Sequence, residues 1–236
     1  MAVTLRYIYS NLAGGNSNNN LNSRPANSAA GDISAYWKNE FLFKGKQTQL
    51  SLGANIANIG PKITYSAQSE NDFIPTILRA GFGLGSQVDR DNHLAIYADF
   101  NKLLVPTPNP NQPSRDISLL SGILSSFSDA PGGFEEELRE IFYSTGLEYS
   151  YQKKFILRGG YFYESPYKGR RQYFTLGAGL RLSKFGIDFS YLNSSAVMGP
   201  SPLDNTIRFT MYLNLGEFIP DKPTTVPVEV APGEAD

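Results

Sequence analysis

The chain has 236 residues, with 22 Gly, 15 Pro, 14 Tyr, 15 Phe, one Trp, one His and no Cys, a length that fits one domain or one barrel. The absence of Cys excludes disulfide scaffolds, thiolate metal sites and a Cys nucleophile, and His93 alone makes no His-rich metal cage. Charged residues make up 18%, and Lys+Arg 21 against Asp+Glu 22 leaves a net charge of -1, so nothing in the charge balance attracts nucleic acid.

Period-2 alternation of apolar and polar residues marks about ten strands, and they alternate with short turns and long loops. The first spans 2–9. Loop 10–32 follows, with Gly14-Gly15-Asn16-Ser17-Asn18-Asn19-Asn20, a composition that reads as mobile. Strands at 33–43 and 48–57 flank a short turn at Lys44-Gly45-Lys46-Gln47. Loop 58–76 opens on Asn58-Ile59-Gly60-Pro61, a kink or turn signal. Strands at 77–87 and 94–104 are joined by Asp89-Arg90-Asp91-Asn92.

Loop 105–141 is the most informative. Its opening run, Pro106 to Pro113, cannot join a ladder. Asp116 is the expected cap of a helix carrying Ile117, Leu119, Leu120, Ile123, Leu124 and Phe127 on one stripe. Ala130-Pro131-Gly132-Gly133 breaks it, and Phe134 to Ile141 reads as a second helix with Glu135, Glu136 and Glu137 in its first turn, expected to form a solvated face. Strands at 142–152 and 155–164 then flank Lys153-Lys154, and loop 165–171 leads to strands at 172–182 and 185–193 around Ser183-Lys184. Loop 194–205 and a strand at 206–215 end the patterned part, and 219–236 is a Pro-rich, acidic tail.

No run of about 18 apolar residues occurs, so no membrane helix is expected. A mean hydropathy of -0.29 does not oppose a membrane barrel, in which alternate residues face a polar lumen. Strands of about ten residues with sorted loops are the pattern of an outer-membrane barrel. The expected fold is therefore all-β, a transmembrane antiparallel up-and-down barrel over 1–218 with short helices in an extracellular loop, followed by a periplasmic tail at 219–236. Met1 leads straight into a strand, so the chain is expected to be a mature product or to lack N-terminal strands and plug. Both ends then lie in the periplasm.

Opposite the apolar rows fall Arg6, Lys38, Glu40, Arg79, Asp99, Glu148, Arg158, Arg181, Asp188 and Arg208, the expected lumen network of paired or hydrated charges. Tyr7, Trp37, Phe43, Tyr151, Phe155, Tyr163 and Tyr191 fit aromatic girdles at strand ends. Gly81, Gly83 and Gly85 lack phosphate-loop spacing and sit on a strand, where they leave room in the lumen. No motif-flanked Ser accompanies His93, so no catalytic, cofactor or metal site is expected.

Ser126-Phe127-Ser128-Asp129-Ala130-Pro131-Gly132-Gly133-Phe134-Glu135-Glu136-Glu137-Leu138-Arg139-Glu140-Ile141 resembles a loop segment of the PorV family of type IX secretion, a branch of the FadL-type barrels. Asn58-Ile59-Gly60-Pro61-Lys62-Ile63, Leu157 to Glu164 and Ser201 to Phe209 are similar to it as well. The resemblance implies a fourteen-stranded outer-membrane barrel with an N-terminal plug, of which this chain holds the C-terminal portion. It implies a non-enzymatic role: binding secreted cargo through the cargo's C-terminal signal domain, and passing it from the translocon barrel to a sortase-like surface attachment complex. Loops 58–76, 105–141 and 194–205 are the candidate contacts, with Ile117, Leu120, Leu124, Phe127 and Phe134 as apolar anchors. Outer-membrane lipid is the surrounding partner. A FadL-like transporter of hydrophobic small molecules is the alternative, which the charged inward rows oppose.

Overall fold

A computed structural model describes residues 1–11, 25–65, 71–108, 116–182, 184–194 and 203–213. Ten strands form one antiparallel sheet: β1 (Ala2–Ser10), β2 (Ala26–Phe43), β3 (Lys46–Ile59), β4 (Ile77–Gln87), β5 (Asn92–Leu103), β6 (Ile141–Tyr151), β7 (Phe155–Tyr163), β8 (Gln172–Arg181), β9 (Phe185–Asn193) and β10 (Thr206–Leu213). They pair strictly in sequence order. The all-β, barrel-like meander read from the alternation is thus present, although the sheet is not closed: among the described residues β1 and β10 are its edges. No helix among them is long and apolar enough to cross a membrane.

The pairing separates the two faces cleanly. Leu52 lies across from Phe82, Leu84 from Ile96, and Ile96 from Leu147. Phe189 lies across from Phe209 and Ile187 from Met211. These side chains are exposed, as a lipid-facing row would be. The opposite face pairs Glu148 with Arg158, Asp188 with Gly179, and Asp99 with Gly81. Several glycines here receive a cross-strand neighbour. A Cβ at Gly81 would lie 2.1 Å from Asp99 Oδ1, at Gly83 2.6 Å from the Tyr97 ring, and at Gly186 2.2 Å from the Tyr212 ring. Each of these is the register partner of its glycine, so the side chain lies over bare backbone.

The short turns sit at one end of the meander. Lys44 (φ 50°) and Gly45 (φ 75°) close the β2–β3 hairpin with two left-handed residues, the geometry that matches strand twist. Asp89 organises the β4–β5 turn by accepting from the backbone N–H groups of Asp91 (3.0 Å) and Asn92 (2.9 Å).

Four expectations are corrected. Residues 26–32, read as loop, belong to β2. Ala26, Ser28 and Ala30 are poor strand formers, but their small side chains fit beneath the β3–β4 loop. Ala26 and Ala30 are buried there with Ile63 and Ile74, against which Ile8 and Tyr65 pack. Trp37, expected in a strand-end girdle, lies in the interior of β2. The first helix, α1, spans Leu119–Ser125 and is capped by Ser118 rather than Asp116: its side chain accepts from Ser121 N–H at 3.2 Å. The second, α2, spans Phe134–Arg139 and ends before Ile141, which already belongs to β6. The tail 219–236 and Ser183 lie outside the described residues.

Candidate functional site: a braced loop cap and a charged inner face

The long connections at the end opposite the short turns interlock through named contacts. Beyond β3, a Cβ on Gly60 would stand 2.0 Å from the Ala29 carbonyl oxygen, so the chain passes directly over β2. Ser28 Oγ donates to Pro61 O at 3.0 Å, and Tyr65 Oη to Ser10 Oγ at 3.1 Å. Asn58 takes φ 61°, which Asn tolerates. Its side-chain amide donates to Pro75 O (2.9 Å), its backbone N–H donates to Asp32 Oδ1 (2.8 Å), and its carbonyl accepts from Thr76 Oγ1 (2.8 Å). Asp32 also pairs with Arg6.

The same loop carries α1. Lys62 Nζ donates to Ile117 O at 2.5 Å and lies 4.5 Å from the centre of the Phe73 ring. Gly122 is buried, and a Cβ there would meet Phe73 at 2.9 Å and Pro106 at 3.2 Å. The helix therefore turns Gly122 inward, and its large apolar residues point elsewhere. Leu120 is 69% exposed, Leu124 71% and Phe127 49%. Ile117, Leu119 and Ile123 are half-buried.

Ion pairs fix α2. Lys102, at the end of β5, donates to Glu137 (2.8 Å) and Glu140 (2.7 Å). Lys168, from the β7–β8 loop, donates to Glu136 (2.7 Å) and Glu140 (2.9 Å). The Arg139 guanidinium lies 5.0 Å from the Tyr167 ring centre. In the β7–β8 loop Arg171 forks onto the buried Glu164 at 2.7 and 2.9 Å. The solvated face expected of the three glutamates is thus corrected: Glu135 is exposed, but Glu136 and Glu137 are used as anchors.

The electrostatics follow this geometry. The Lys168 ammonium, with the Gly132 N–H, holds the Glu136 carboxyl below the usual range. Burial pushes Glu137 upward, but hydrogen bonds from Lys102 and the Ala130 N–H outweigh it and leave its carboxyl low. Burial works against the charge on Lys168, and Glu136 and Glu140 outweigh that, raising it. Phe134, at the start of α2, is 76% exposed and stays outside this bracing.

Of the inner-face charges, Glu148, Arg158, Asp188 and Arg181 form one connected network. Arg158 reaches Glu148 at 2.7 Å and Asp188 at 3.0 Å, and Arg181 reaches the same Asp188 at 2.9 Å. Lys38 and Glu40 pair with each other at 2.7 Å along β2. Arg79 and Asp99 line one groove with Tyr36, Asn55 and Tyr97. Arg208 lies across from Ser190 on the same face. His93 lies across from Gln87 and Ser150 at the start of β5. No cluster of three or more metal-ligating side chains occurs among the described residues.

Sequence reasoning missed Lys102, Glu140, Lys168, Glu164 and Arg171. One signal was available. Lys102 ends the outer row Leu94, Ile96, Ala98, Phe100 on β5, and a cation closing an apolar row needs an anionic partner.

Compared with known protein families, residues 1–110 match the family described as Type IX secretion system protein PorV. No curated protein matches the chain. The resemblance read from the sequence is thereby supported: residues 1–110 are similar to the PorV family of type IX secretion. An outer-membrane location and association with other components of that system are consistent with this match and with the exposed apolar rows.

Proposed function

We propose that this protein is a non-enzymatic carrier in the outer membrane, which binds secreted cargo through the cargo's C-terminal signal domain. It passes that cargo from the translocon barrel to the cell-surface attachment complex. The observation that carries the reading is the exposure of Leu120 and Leu124 on α1, Phe127 in the turn after it and Phe134 on α2, in a loop held by the bracing. Apolar side chains pre-ordered on a braced scaffold lose little entropy on binding and can serve as anchors for a β-rich partner. In this arrangement the long loops are extracellular and both chain ends periplasmic, with 1–218 in the barrel and 219–236 as its tail. The edges of β1 and β10 need partner strands in lipid, and the fourteen-stranded barrel implied by the family resemblance supplies them. The Glu148–Arg158–Asp188–Arg181 network is the rigid lining of its lumen.

The test is the triple variant Leu120→Ser, Leu124→Ser, Phe127→Ser in the full-length protein, purified from outer membranes with co-eluting proteins identified by mass spectrometry. The variant should retain the heat-modifiable migration of an assembled barrel and lose most of the exported proteins that share the C-terminal domain. Undiminished cargo recovery would reject the loop surface as the docking site.

A further inference from the structure

One groove is cut into the outer, apolar face and is separate from the cap and the inner network. It has a volume of about 480 Å³. Ala98, Thr145 and Gly159, on β5, β6 and β7, form its floor, and Phe82, Leu147 and Phe174 are among its walls. The register explains the depression: Phe82 pairs with Ala98, Ala98 with Thr145, and Leu147 with Gly159. Small side chains thus run through a row that is large on either side. Ala98 is only 9% exposed although it lies on the outer face. A Cβ on Gly159 would meet nothing within 4 Å, so the floor there is open space.

We propose that this groove seats one acyl chain of an outer-membrane lipid. Three observations select that occupant. The groove lies within the exposed apolar rows, where the surrounding medium is hydrocarbon. Its lining offers a partner almost no hydrogen bonding: of its three residues with polar side chains, Tyr97 turns its ring over Gly83 on the inner face, the Tyr161 hydroxyl already donates to Gln172 at 3.2 Å, and Thr145 is the third. A trough of this shape, floored by small residues between rings, fits a slender flexible chain; a rigid membrane segment of another protein would need matching knobs and polar fixation. A seated chain restores the dispersion contacts that a depression in the wall forfeits. The inference depends on the membrane barrel and not on the cargo reading.

The test is native mass spectrometry of the full-length protein released from outer membranes in mild detergent. Gly159→Leu fills the trough at a position with space for it and no unusual φ, so assembly should survive. Phe209→Leu, on the outer face but outside the groove, is the control. The expected result is one retained lipid on the wild-type protein and on Phe209→Leu, and its loss from Gly159→Leu, with cargo recovery unchanged in all three. Equal lipid retention by wild type and Gly159→Leu overturns the proposal, as does equal loss from both variants. Release of a co-purified membrane protein, rather than a lipid, by Gly159→Leu also overturns it.

Discussion

Lys102 shows how a single residue can organise a loop 35 positions away. Its side chain is 9% exposed and that of Glu137 10%, so removing one partner leaves a charge in a dry site. Such losses cost on the order of 3 kcal/mol. Lys102→Met should therefore loosen α2, read as loss of hydrogen-exchange protection over 134–140 with the β strands unaffected. Acid should act in the same place. The carboxyls of Glu136 and Glu137 lie below their ordinary value of 4.5, so the stability they contribute is present above that pH and is lost as pH falls through their depressed values. Lys168 lies above its ordinary 10.5, so its contribution is full below that value and lost only as pH rises past the raised one. The clamp is then closed across neutral pH and opens in acid. Intrinsic-rate-corrected exchange of 134–140 at pH 7 and at about pH 2, below the depressed carboxyls, measures this directly, and unchanged protection at the lower pH would contradict it.

Among the elements, the strands were legible and the cap was not. Alternation placed β4 at 77–87 and β9 at 185–193 with the bounds later observed, because a two-sided sheet enforces a period of two at every step. The first seven residues of β2 escaped. Ala26, Ser28 and Ala30 are small because something lies on them, and a covering loop leaves no periodic trace in the strand it covers. Ser118 outcompeted Asp116 as cap because Gly122 must face Phe73, which fixes the phase and start of α1. The apolar anchors of α1 were readable from composition, but their exposure depended on which side Gly122 takes. Gly60 tests this layer. Gly60→Ala would push a methyl group into the Ala29 carbonyl, a backbone atom that cannot rotate away, at a cost of about 1–3 kcal/mol. Limited proteolysis should then cut between 60 and 65 faster than in the wild type, with the heat-modifiable barrel still formed.

Over the whole molecule, the apolar belt, the charged interior and the braced cap divide the work. The belt is consistent with an outer-membrane location, and the linked charges of β6 to β9 tie four neighbouring strands together on the other face. The cap presents four exposed apolar side chains without building them into the sheet. That separation is why the triple serine variant is expected to lose cargo while the barrel assembles. Order along the chain made this division readable: each strand pairs with its sequence neighbour, so loop lengths alone sort the two ends. The links between loops, such as Lys168 to Glu136 and Lys62 to Ile117, join residues 32 and 55 positions apart and could not be read from any local pattern.

The glycines of the inner face carry a consequence for how this wall can change over generations. Gly83 and Tyr97, or Gly186 and Tyr212, occupy one volume between them, so the glycine cannot gain a side chain while the ring keeps its place. A methyl group gained at the glycine must be matched by a smaller or rotated ring opposite, and a larger ring requires the glycine to stay. The order of change is therefore set: in descendants of this chain the ring should shrink or move before the glycine can grow.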